Sequence, residues 1–161
     1  MKIRLTKGTG GKPGVTSFIR EDGSCTWQKS TPFFARHDLI HYAVETALGY
    51  REAFLGLVAR GRDLDSFGTQ NGIKDVYTQE EIWTEAIAGI CQWPDSTGAY
   101  PLSNQELLVI LESSFEGKDC PAPAITEPQL LEIRSHVQEQ HRRWDLVPEG
   151  ETLEMTFELP V

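Results

Sequence analysis

The chain has 161 residues, 39% of them hydrophobic and 24% charged, the balance of an ordinary globular protein and a length that fits one domain over 1–161. Its net charge of −9, from 24 acidic and 15 basic residues, repels phosphate backbones, and no basic stripe with interleaved aromatics offsets it, so no nucleic acid is expected as a partner. No run reaches the ~20 apolar residues of a membrane span, the opening MKIRLTKGTG has no apolar leader core, and Cys25, Cys91 and Cys120 are scattered without a CxxC pair. A cytoplasmic protein with reduced thiols and no membrane association is expected.

Residues 1–7 alternate Met1, Ile3 and Leu5 against Lys2, Arg4 and Thr6, the period of a half-buried strand. The glycine-rich 8–14 segment reads as a hairpin connection. A phosphate loop would need glycine at 6 and a hydroxyl residue at 13, where Thr6 and Pro13 stand. Two further strand-like runs, 15–20 and 25–29, flank Glu21-Asp22-Gly23-Ser24, and Asp-Gly between such runs signals a tight hairpin. Phe18 and Trp27 are its expected packing aromatics. Thr31-Pro32 then breaks the strand.

The longest helical pattern follows, a central helix near 37–60 within FFARHDLIHYAVETALGYREAFLGLVARGR (33–62). At about 100° per residue, His37, His41, Glu45 and Glu52 form one narrow polar stripe beside an apolar face that includes Leu39, Ile40, Val44 and Leu55. Gly49 and Gly56, seven apart, predict that another backbone packs closely on this helix. Residues 61–77 read as an irregular connection. Asp63-x-Asp65 opens like a calcium loop, but Phe67 and Lys74 occupy its fifth and twelfth positions, which excludes calcium.

Three capping patterns then start three helices. Thr78-Gln79-Glu80-Glu81 opens one to about Cys91, broken by the sequence 93–101. Ser103-Asn104-Gln105-Glu106 opens the next, with Leu107, Leu108, Ile110, Leu111 and Phe115 inward and Gly117 as its stop. Thr126-Glu127-Pro128-Gln129 opens the last, with Leu130, Ile133, Val137 and Trp144 buried and His141 beside them. Residues 152–159 alternate strictly and form the clearest strand. Strands at both ends with helices between predict an α+β fold: an antiparallel sheet of about four strands, made of the N-terminal strands plus the C-terminal one, packed on about four helices.

The chemistry centres on the stripe. His37 and His41, four apart on a helix, can converge on one divalent transition metal, zinc or similar. Glu45 lies about 12 Å along the axis from His37, too far to share that ion, and suits a partner orienting His41. Paired with Glu45, His41 would also serve as a proton-transfer group, and Asp38 is the other carboxylate candidate for catalysis. Asp38, at the N-terminus of the expected helix, would also stabilise the helix dipole. His136 or His141 of the last helix is the expected third ligand. His-Asp-x-x-His lacks the glutamate base of a zinc protease, and no upstream histidine supports a metal phosphohydrolase of the His-Asp type. Two functions from different classes follow: a metal-dependent, hydrolase-like enzyme acting on a small molecule, or a non-enzymatic interaction or structural module whose histidines only hydrogen-bond. The sequence is compatible with a homo-oligomer.

Overall fold

The computed structural model describes residues 1–67, 77–92 and 102–160 with their side chains, and only the backbone at 69–70, 73–74 and 93–97. Three strands open the chain: β1 (Lys2–Thr6), β2 (Gly14–Ile19) and β3 (Cys25–Ser30). The last, β6 (Thr152–Thr156), pairs with β1, which gives one antiparallel sheet in the order β3-β2-β1-β6. The register sets Ile3 opposite Phe18 and Met155, and Leu5 opposite Thr16 and Leu153, so one face is buried and mostly apolar, with the Thr16 and Thr26 hydroxyls set into it. Beyond the strand, the Met1 ammonium donates to the Phe157 carbonyl and the Phe157 N–H to the Met1 carbonyl, each at 2.8 Å. The other face carries Lys2, Arg4 and Glu154, with Glu154 3.1 Å from Lys2. Trp27 belongs to that outer face, opposite Ser17, and is exposed rather than packed. Phe18 alone fills the core role expected of the pair.

The architecture is therefore α+β, with the four-stranded antiparallel sheet expected from the alternation at both ends of the chain. Helix α1 (Pro32–Leu48) lies between the sheet and the other helices. Ala35 and Leu39 face the sheet with Leu55, Val58 and Trp144, in one core with Ile3, Phe18 and Phe157. Ile40, Ala43 and Val44 face the opposite way into a second core with Ile87, Leu107, Leu111, Leu130 and Ile133. These helices are α3 (Gln79–Thr97), α4 (Asn104–Ser113) and α5 (Glu127–Asp145). The capping boxes at Ser103 and Thr126 form as read, each cap hydroxyl accepting from the backbone three residues on.

The single long central helix does not form. Gly49 adopts φ 66°, a left-handed conformation that costs glycine little, and both its N–H and that of Tyr50 bond back to the Glu45 carbonyl. After a short turn the chain restarts as α2 (Phe54–Ala59), making five α-helices among the described residues where about four were expected. Gly56 does meet a close backbone, but from its own preceding turn: a Cβ there would sit 2.3 Å from the Arg51 carbonyl oxygen. Gly56→Ala is therefore expected to cost roughly 1–3 kcal/mol of stability by overpacking, read as a lower urea midpoint.

The connection after α2 holds a 3₁₀ turn (Leu64–Ser66) and a short ribbon of β4 (Thr69–Gln70) with β5 (Ile73–Lys74), rather than irregular chain throughout. The α3 backbone also continues past Cys91 and Pro94 to Thr97; proline removes one backbone bond but its fixed φ remains helical. The last four residues of the segment read as its breaker, 98–101, lie outside the described residues. Among the described residues no helix is long and apolar enough to cross a membrane.

Candidate metal centre

Helix α3 is brought alongside α1 by its first turn. The Thr78 N–H donates to the Glu81 carboxylate at 2.7 Å, and the Glu81 N–H returns to the Thr78 hydroxyl at 3.1 Å, which starts the helix. The Glu80 carboxylate accepts from the N–H groups of Arg51 and Glu52 at 2.7 and 2.5 Å, pinning that turn to the bend after α1. Packing of Ile87 and Ala88 against the Ile40, Ala43 and Val44 face then holds the two helices together. Glu85, nearly two turns into α3, is left facing His37 and His41.

The three groups converge. The Nε2 atoms of His37 and His41 are 3.0 Å apart; Glu85 Oε1 is 3.2 Å from His41 Nε2, and Glu85 Oε2 is 3.6 Å from His37 Nε2. Two ligands of one zinc-sized ion, each about 2.0–2.1 Å from it, stand about 2.9–3.4 Å apart at octahedral or tetrahedral angles. The 3.0 and 3.2 Å separations are of that size, and the 3.6 Å one, measured to the other Glu85 oxygen, lies just above it. Among the described residues this is the group of three or more His, Cys, Asp or Glu whose ligand atoms lie close enough to hold a metal ion, all within 4.8 Å of one another. The pocket is graded in depth: the side chains of His41, His37 and Glu85 are 4%, 20% and 60% exposed, so it opens on the Glu85 side.

Each ring also has a partner behind it. His37 Nδ1 is 2.9 Å from the Gln92 amide nitrogen, and His41 Nδ1 is 3.4 Å from Glu45 Oε1 without a hydrogen bond to it. Both Nδ1 atoms thus face a polar side chain and both Nε2 atoms the shared point; His37 Nδ1 accepts from an amide N–H as placed, and ligation through its Nε2 requires the Gln92 amide to present its oxygen instead. Glu45 itself is fully buried. Its carboxylate accepts from the Leu55 N–H at 3.1 and 2.9 Å and the Gly56 N–H at 3.1 Å, supplying the cap that Ala53 cannot give α2. Burial pushes the Glu45 carboxyl up, while His41 and those N–H groups pull it down. Burial likewise opposes charge on His41, but Glu45 and Glu85 outweigh it and raise the ring to about 10. The two histidines hold the Glu85 carboxyl well below its usual range.

Compared with protein-family models, curated proteins and solved structures, the chain gives no match to any of them. The reading of the site accordingly rests on its own geometry.

The remaining sequence candidates fall elsewhere. His141 is on the far side of α1, its Nδ1 3.2 Å from the Arg36 guanidinium and its Nε2 3.1 Å from the Arg36 carbonyl oxygen, where with the Arg36–Asp145 pair at 2.7 Å it docks α5. His136 is exposed on α5. Neither joins His37 and His41; the third position that they were expected to fill is faced by Glu85. Glu52 leaves the stripe because α1 ends at Leu48, and it is exposed in the turn. Asp38 is not in the first helical turn, since α1 begins at Pro32; it is buried beside Thr16 of β2, and neither its Oδ2 nor the Thr16 hydroxyl has a hydrogen-bond partner among the described residues. The cysteines are free, and burial raises Cys91 to about 11, which suits a packing role rather than a nucleophile. Sequence reasoning missed Glu85 and Gln92. Their seven-residue spacing puts them on one face of α3, but nothing in that spacing points to α1.

Burial raises Asp38 from 3.8 to about 6, against the nearby imidazoles that lower it. Between those values the folded protein holds a proton that the unfolded chain has released, so stability falls as pH rises and the cost is complete above pH 6. In protein stripped of metal with a chelator, Asp38→Asn is expected to add roughly 1–3 kcal/mol at pH 7.5 and little at pH 4. Urea unfolding at the two pH values checks this; a variant less stable at both would mean that the carboxylate has a favourable partner.

Proposed function

We propose that the chain binds one divalent transition-metal ion, zinc or similar, through His37 Nε2, His41 Nε2 and the Glu85 carboxylate, and uses it in hydrolysis. The observation that carries this reading is the convergence of two Nε2 atoms 3.0 Å apart with the Glu85 carboxylate, whose Oε1 is 3.2 Å from His41 and whose Oε2 is 3.6 Å from His37. Two histidines and one carboxylate are a ligand set used by hydrolytic zinc and by other catalytic metals, and catalytic sites keep a position open for water or substrate. The exposed Glu85 side supplies that opening. A bound ion lowers the pKa of its water to about 7, which provides a nucleophile without a dedicated base.

In this reading Glu45 orients His41 and caps α2 rather than exchanging protons with substrate, because it reaches no solvent. Asp38, also buried, has no place at the open side. The test is metal titration of chelator-stripped protein, with wild type expected to bind one zinc, cobalt or manganese ion per chain and His37→Ala to bind none. Hydrolysis of simple ester, amide and phosphoester probes by the loaded protein then tests the enzymatic half.

A second reading has one observation in its favour. The same cluster is held without an ion when a proton sits between the imidazoles and Glu45 and Glu85 hold His41 charged. The chain would then be an interaction or structural module in which the histidines tie α1 to α3. His37→Ala would in that case lower stability and change nothing in metal content.

A further inference from the structure

The polar stripe of α1 has an aromatic end. Phe33 lies four residues before His37, hence one turn away on the same face, and its ring stacks on the His37 ring at a centroid separation of 6.4 Å and an interplanar angle of 12°. Phe34 meets Phe33 edge to face at 5.5 Å. Phe33 and Phe34 are 64% and 54% exposed, so neither contributes to a core. The other end of the stripe is different: His41 packs edge to face on Phe54 at 5.6 Å, and Phe54 on Phe18 at 5.7 Å, running into the interior. The ring series Phe33–His37–His41–Phe54 thus leads from solvent, past the candidate ligands, into the core. Exposed aromatic surface stacked on the ring of a candidate ligand, His37, is what an aryl group would pack on.

Resting on the metal reading above, we infer that the site takes ligands with an aryl group a few bonds from the oxygen that reaches the metal, and that Phe33, with Phe34 beside it, is the residue that selects them. Phe33 is a specificity-determining residue that touches the aryl group and not the reacting atoms. A second copy of the chain is the rival occupant of this aromatic pair.

The probes are benzohydroxamate and acetohydroxamate, which present the same chelating oxygens with and without a ring. With cobalt-loaded protein, followed by its visible absorption, benzohydroxamate is expected to bind roughly tenfold more tightly than acetohydroxamate. Phe33→Ala is expected to bring the two within about twofold while cobalt affinity stays at the wild-type level. Phe33→Tyr should keep the preference. Equal binding of the two probes by wild type, or a preference unchanged in Phe33→Ala, overturns the inference and leaves the metal centre standing. Dimerisation in sedimentation that Phe33→Ala abolishes also overturns it, in favour of the second copy. Failure of the wild type to bind cobalt at all is a different result: it removes the metal reading and this inference with it.

Discussion

Glu85→Ala is expected to lower zinc affinity by more than about 100-fold and to leave the unfolding free energy of chelator-stripped protein within about 1 kcal/mol of wild type. The two expectations come from one position. Glu85 is 60% exposed on α3, and the groups that its carboxylate faces are His41 Nε2 at 3.2 Å and His37 Nε2 at 3.6 Å. Glu85 is the exposed member of both pairs and Glu45 still faces the buried His41 ring, so the loss is expected to be about 0–1 kcal/mol, that of a solvent-screened pair. Removing one of three ligands exceeds the 10–100-fold effect typical of outer-shell partners. His41→Ala would be a poorer test, because His41 is buried against Glu45 and its loss disturbs the core as well. Competition with a chromophoric zinc chelator reads the affinity, and urea unfolding reads the stability. A variant that loses stability yet shows no change in zinc binding would place Glu85 in a structural hydrogen-bond cluster.

Glu45→Ala is expected to be the most destabilising of the substitutions considered, by roughly 3–5 kcal/mol, a magnitude typical of removing one partner from a buried charged pair. Four contacts disappear together. The N–H groups of Leu55 and Gly56 lose their acceptor at 2.9–3.1 Å, and His41 loses the carboxylate behind its Nδ1 at 3.4 Å. Helix α2 has no other side-chain cap, since Ala53 precedes it. Glu45→Gln keeps the shape and one acceptor oxygen, so a smaller loss of about half that size is expected. Far-ultraviolet circular dichroism against urea separates the two variants. A Glu45→Ala protein as stable as wild type would mean that α2 and His41 find other partners.

Those two residues also mark how far the sequence could be read. Strands and helix starts were legible because their signals are local. Alternation at 1–7 and 152–159 sets both faces of the sheet, and a hydroxyl three residues before Glu or Gln sets the starts of α3, α4 and α5. The end of α1 was not, although Gly49 was in view. A glycine inside an apolar pattern reads either as a tolerated helix residue or as a left-handed stop, and the choice here is tied to Glu45 reaching forward ten residues to cap α2. That bond is tertiary, and periodicity carries no trace of it.

The site divides in the same way. His37 and His41 were visible as neighbours because four residues on a helix place them so. Glu85 was one of 24 acidic residues, and only the docking of α3 through Thr78 and Glu80 makes it a neighbour of the histidines. His141 had the right chemistry on the wrong side: α5 meets α1 through Arg36 and Asp145, opposite the cluster. Trp27 shows the limit of alternation in a half-buried sheet, where a bulky residue at an outward position is indistinguishable by type from one in the core.

The most direct test of the metal centre is elemental analysis of untagged protein purified without chelators, beside the His37→Ala/His41→Ala variant with its fold checked by circular dichroism. The account predicts close to one zinc, iron, cobalt, nickel or manganese ion per wild-type chain, by itself or after reconstitution, and under a tenth of that in a folded variant. No bound metal in the reconstituted wild type, or equal metal in both proteins, would contradict it and leave His37, His41 and Glu85 as a hydrogen-bonded tie between α1 and α3.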